Sequence, residues 1–282
     1  MRAIAEYIVR GRSQAVIVAL VGSWVPILTQ ATLSLVALRK GPNEGLLVTL
    51  WALLPALATI WFGDISLVLA ISSVAAILIS LAGATVLRFT VSWPATLACF
   101  VAMSSLSAVV AVVISEDIVA EMRTFVAQLT KGADPEDVKR LFSIWTVTWW
   151  AGLVAFWTAV SALIGLIVGR WWQAMLFNPG GFREEFHGLR LTSPLAVVCG
   201  GAMFYCNALG AEYYYWSKVF ALPLVIAGLG LMHAAIAKHR LGGPSVVLAY
   251  MGLLLPPVQL LLALFGLTDV WLNYRKKFNL VQ

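Results

Sequence analysis

Ionisable side chains are scarce in this chain. Asp, Glu, Lys and Arg make up only 11% of its 282 residues, and histidine occurs three times. Cysteine is equally rare. Cys99, Cys199 and Cys206 each lie in an apolar stretch, with no Cys-x-x-Cys pair and no clustered histidine, so they read as small packing residues and leave no readable metal site. No basic run exceeds Arg275-Lys276-Lys277. The formal net charge of +6 is therefore better explained by cations at membrane edges than by a nucleic-acid partner. His-Glu-x-x-His, Ser-His and paired-aspartate arrangements are missing as well, so no catalytic residue, metal or cofactor is expected and the chain does not read as an enzyme.

What the sequence has in abundance is apolar surface. Hydrophobic residues make up 61% and mean hydropathy is +0.90, more than a water-soluble fold could hide. The expectation is one integral membrane domain over residues 1–282, an all-α polytopic helix bundle. The opening MRAIAEYIVRGRSQ carries Glu6 and is followed by no small-residue cleavage site, so it reads as a retained segment. Runs at Leu46 to Phe62, Ile65 to Leu87, Trp93 to Ile114, Phe142 to Val168, Leu195 to Leu209 and Val219 to Ala237 are candidate spans. Two further apolar stretches are interrupted by proline. Pro26 lies within Gln14 to Leu38, and Pro256-Pro257 within Ser245 to Val270. Each is either a kinked span or a pair of half-helices that re-enters from one side.

Charge separates these alternatives. If both broken stretches re-enter, one side holds Arg2, Arg10, Arg12, Arg39, Lys40, Arg88, Arg170, Arg183, Arg190, Lys238, Arg240, Arg275, Lys276 and Lys277, leaving 5 of the 19 basic residues opposite. If both span, the bias nearly vanishes. The positive-inside rule prefers re-entry, six spans and cytoplasmic termini.

Two polar segments stand out. Residues 116–140 read as an outer amphipathic helix and loop, with Asp134-Pro135-Glu136-Asp137 capping the next span. Residues 169–191, GRWWQAMLFNPGGFREEFHGLRL, read as a cytoplasmic helical elbow broken at Asn178-Pro179-Gly180-Gly181. Trp171, Trp172, Phe182, Glu184, Glu185, Phe186 and Arg190 are its candidate docking residues for a second membrane or membrane-associated chain, or for another copy of this one. Neither glutamate has a strong basic neighbour on its own helix. Glu184-Glu185 with Arg190 is similar to the double-glutamate motif of intramembrane abortive-infection proteases. Four residues intervene here in place of three, which rotates the arginine about 100° around a helix.

LVALRKGPNEGLLVTLWALLPAL (Leu35 to Leu57), the elbow, and GLTDVWLNYRKK (Gly266 to Lys277) together resemble the YybS-like family of uncharacterised polytopic bacterial membrane proteins. That family is distantly similar to the substrate-binding S components of energy-coupling-factor transporters, which implies a six-helix core that binds or carries a small molecule. Gln30, Trp157, Asn207, Glu212, His233 and Gln259 are the candidate ligand-binding residues. Trp145, Trp149 and Trp157 are expected on a shared helix face, with Trp157 near the floor of any pocket. The alternative function is a non-transporting membrane subunit that scaffolds or regulates a larger complex.

Overall fold

The computed structural model describes residues 1–25, 27–62, 67–115, 117–121, 124 and 145–280. The fold is an all-α polytopic helix bundle, with no strand among the described residues. Its helices are α1 (Arg2–Arg10), α2 (Arg12–Val21), α3 (Leu28–Lys40), α4 (Pro42–Phe62), α5 (Leu67–Thr90), α6 (Trp93–Ile114), α7 (Val147–Phe177), α8 (Gly181–Gly188), α9 (Ser193–Leu209), α10 (Tyr214–Lys238), α11 (Gly243–Gly252), α12 (Pro256–Leu272) and α13 (Tyr274–Lys277). Single turns of 3₁₀ helix follow α2 and precede α10.

Five helices are long and apolar enough to cross a membrane: α4, α5, α6, α7, and α10 with its leading 3₁₀ turn. The sixth expected span differs. At 17 residues α9 extends only about 25 Å, and it reaches full apolar length only together with α8, from which it is bent by 65°. Asn207 near the end of α9 donates to Ser217 of α10, so the two helices run in opposite directions. The outer helix expected over 116–140 falls almost entirely outside the described residues, as does Pro26. At its start the Asp117 carboxylate accepts from the Val119 and Ala120 amides, each at 3.0 Å.

Both proline-interrupted stretches are broken, and neither is a kinked helix. Arg12 at the start of α2 forms an ion pair with Glu44, just beyond the end of α3. The Thr29 hydroxyl donates to the Ala19 carbonyl at 2.8 Å. These contacts hold α2 and α3 as an antiparallel hairpin whose two ends lie at the same end of the bundle. The second break is an open corner, with α11 and α12 bent by 106°. Pro256 and Pro257 occupy the first turn of α12, where missing amides cost least. The Lys218 ammonium near the start of α10 donates to Gln259 near the start of α12, and α12 then runs alongside α10.

Helix α3 lies deepest, with nine of its thirteen residues buried. Gly165 and Gly169 of α7 let that helix lie directly on the α3 backbone. A buried helix end needs donors for its last carbonyls. The Leu38 carbonyl receives the Arg88 guanidinium and the Gln173 amide. At the periphery α4 and α6 bury only 28% of their apolar windows, against 56% and 67% for α7 and α10, and so offer the bilayer an apolar face.

Candidate functional site

The α2–α3 hairpin stops partway through the bundle, and the space beyond its tip is a cavity of about 950 Å³. That is within the usual size of small-molecule sites. One wall is a single face of α7: Trp150, Leu153, Val154, Trp157, Thr158 and Ser161 recur at spacings of three and one. Over these eleven steps the wall runs about 16 Å. Helices α4 and α5 supply the facing walls, and the hairpin tip, with Ile27, Thr29 and Gln30, closes the end nearest the middle of the bundle. Trp24 and Trp157 are 79% and 59% exposed, so the cavity is open where they line it.

Its polar groups are amides and hydroxyls. Among the described lining residues none is ionisable. Gln30 Nε2 donates to Ser161 Oγ at 3.2 Å, tying α3 to α7 at the inner end. Thr59, Ser72 and Ser73 spend their hydroxyls on carbonyls of their own helices. Thr158 and Trp150 do not: Thr158 Oγ1 and Trp150 Nε1 are buried and have no hydrogen-bond partner among the described residues.

Two of the six expected ligand-binding residues, Gln30 and Trp157, line this cavity. The other four do not, and three of them are engaged elsewhere. Asn207 bonds Ser217 Oγ and the Met203 carbonyl, and His233 Nε2 meets the Tyr250 hydroxyl at 3.0 Å. Gln259 accepts from Lys218 and donates to the Leu253 carbonyl. Glu212 lies in the 3₁₀ turn before α10. Trp145 and Trp149 stack on each other at the N-terminal end of α7, and Trp150 packs edge-on against both. Trp157 pairs instead with Phe156. Sequence reasoning did not name Thr158, Trp150 or Ser161 as site residues, although their offsets from Trp157, by one, seven and four residues, place them on the same broad helix face.

The elbow is folded into the protein. Gly180 takes a φ of 93°, a left-handed geometry that glycine adopts freely, and turns the chain from α7 into α8. Glu185 pairs with Arg170 of α7. Arg190 donates to the Asp269 and Val270 carbonyls at the end of α12. Arg275 pairs with the buried Asp269 carboxylate and reaches the carbonyls of His187, Leu189 and Ala227. Burial pushes the Arg275 guanidinium below its ordinary pKa, against the opposing pull of Asp269.

This placement narrows the surface that the elbow leaves exposed. Trp172 and Phe186 are buried and Phe182 packs on Trp93 and Phe186, so their rings serve the protein's own core. Of the seven candidates only Trp171 and Glu184 are exposed. Among the described residues no group of three His, Cys, Asp or Glu could hold a metal ion. Comparison of the chain with protein families, with curated proteins and with solved structures finds no match.

Proposed function

We propose that this protein binds a small molecule inside the bilayer, as a carrier or as the substrate-binding subunit of a transporter. The observation that carries the reading is the cavity at the tip of the α2–α3 hairpin, where a broken helix and two exposed tryptophans converge. Broken half-helices that end inside a membrane bundle are the usual way such a fold brings backbone polarity to a ligand. The resemblance to S components of energy-coupling-factor transporters points the same way. So does the basic end of the bundle, which we assign to the cytoplasmic face of a bacterial inner membrane.

The alternative, a scaffold or regulatory subunit, has less support. Its expected contact surface uses its charges at home, through Arg170–Glu185 and through Arg190 on α12. The two readings part in one experiment: gentle purification of the full chain, native mass spectrometry, and denaturation to release bound molecules. A released metabolite that quenches tryptophan fluorescence on rebinding, with the response lost in Ser161→Leu, supports the binder. A stoichiometric second protein with no small molecule supports the subunit.

A further inference from the structure

Resting on that reading, we infer the class of ligand and its route: the hydrocarbon chain of a lipid or fatty acid, entering sideways from the leaflet away from the basic end of the bundle. The lining residues set the depth. On α4 they run from Ala52 to Phe62, on α5 from Val68 to Ile77 and on α7 from Trp150 to Ser161. Each of these helices has its charged end elsewhere, at Glu44 with its partner Arg12, at Arg88 and at Arg170. Arginines mark the edge of the hydrocarbon core. Measured from Arg170, the lining of α7 lies between about 13 and 30 Å along the helix axis. In a core about 30 Å thick, that is the depth of one leaflet, the far one.

The mouth lies at the same level. Trp157 stands thirteen residues before Arg170 on α7, about 20 Å along the axis. Trp24 ends the short turn after α2 and is also about 20 Å from Arg12. Both rings are exposed at a depth where the surroundings are lipid tails, so the cavity opens to the bilayer. Its wall on α7 is about 16 Å long, close to the half-thickness of about 15 Å that one lipid chain covers.

What fills such a space is decided by magnitude. Water needs two to four polar partners, and the walls have few to give. Thr29, Thr59, Ser72 and Ser73 donate their hydroxyls to carbonyls, and Gln30 and Ser161 are bonded to each other. The Thr158 hydroxyl and the Trp150 indole N–H are sealed from the open space, while Ser23 is exposed at the hairpin tip. A charged solute would lose its hydration with no ionisable group among the described lining residues to offset the loss. A hydrocarbon chain comes from surroundings as apolar as the cavity, so it loses nothing on entry and gains dispersion contacts along a packed wall.

The test uses full-length protein in phosphatidylcholine nanodiscs and palmitic acid carrying a diazirine at mid-chain, with cross-linked peptides located by mass spectrometry. Labelling is expected on the lining segments of α4, α5 and α7, and it should fall about ten-fold under a roughly ten-fold excess of plain palmitate. Ala56→Phe, which fills the cavity, should abolish it, and Ser73→Phe, at an exposed lining position, repeats the test if the first variant does not fold. Val113→Phe adds the same ring to the exposed face of α6, outside the cavity, and should leave labelling unchanged. The same diazirine chain carried on phosphatidylcholine names the source: labelling by either probe supports the chain, and the stronger one is the natural form. Labelling that does not saturate, or that is equal on the exposed face of α6, is ordinary lipid contact and would overturn the chain as ligand. If a water-soluble metabolite released from the protein rebinds, and Ala56→Phe or Ser73→Phe blocks it while no chain labels the cavity, the ligand class is wrong and the binder stands. If filling the cavity blocks neither, the binder itself is overturned.

Discussion

Arg170 and Glu185, fifteen residues apart, form a two-point ion pair that closes the turn between α7 and α8. Arg170 Nε donates to Glu185 Oε2 at 3.0 Å, and Nη2 meets the other carboxylate oxygen. The two side chains are only 13% and 30% exposed, so the pair is poorly screened. Glu184, its neighbour, points to solvent. Glu185→Gln should therefore lower stability by about 1–3 kcal/mol, because it strands a half-buried guanidinium. Glu184→Gln should change it by less than about 0.5 kcal/mol. Thermal unfolding of the two variants side by side checks this, and equal effects would remove the distinction between the glutamates.

Asp269 is 1% exposed and faces Arg275, which is itself buried. Removing the carboxylate leaves a buried cation with carbonyl partners alone. Asp269→Ala is predicted to cost about 3–5 kcal/mol, seen as a large drop in melting temperature or in the amount of folded protein recovered from membranes. Near-normal stability would mean that water or lipid headgroups reach Arg275.

Helices α10 and α12 cross at Gly228 and Gly266. A methyl on Gly266 would run into the Leu224 carbonyl, and one on Gly228 into the Leu262 carbonyl. Backbone cannot yield as a flexible side chain can, so each Gly→Ala change should cost about 1–3 kcal/mol or more. The double variant should cost less than the two single changes combined, because the first displacement already opens the shared contact. Additive losses measured in denaturant titrations would argue that the two sites relax independently.

The antiparallel α2–α3 hairpin and the return of α12 alongside α10 place both termini at one end of the bundle. Cysteines introduced at Arg2 and at Phe278 should therefore label alike with a membrane-impermeant thiol reagent in intact cells, and a cysteine at Ala211 should behave oppositely. The native cysteines are buried or half-buried and give a low background. Opposite labelling of the two termini would refute the hairpin.

His187 lies in α8, outside the crossing helices. Burial lowers its pKa, reinforced by the cations Arg183 and Arg275 and by His233 beside it. A histidine whose folded pKa is depressed takes up a proton on unfolding, so stability is intact above about pH 6.5 and declines as pH falls below it. His187→Gln should flatten that decline in a melting-temperature profile between pH 7.5 and 5.5. An unchanged slope would assign the acid sensitivity to other groups.

Apolar runs and the sidedness of lysine and arginine were enough to read the membrane class, the all-α bundle and the five helices long and apolar enough to cross a membrane. Burial in lipid demands long, nearly charge-free helices, and that demand is written locally, residue by residue. The charge bias also favoured re-entry, and the Arg12–Glu44 and Ala19–Thr29 contacts give the first broken stretch the hairpin geometry that re-entry requires. Partner choice is not local. Glu185 looks unpaired on its own helix because its cation lies one turn of chain reversal away on α7, and Asn207 and Gln259 look like ligand groups until their hydrogen bonds to Ser217 and Lys218 are seen. The cavity is the clearest case. Its walls come from helices far apart in the chain, α3, α4, α5 and α7, which only their packing brings together.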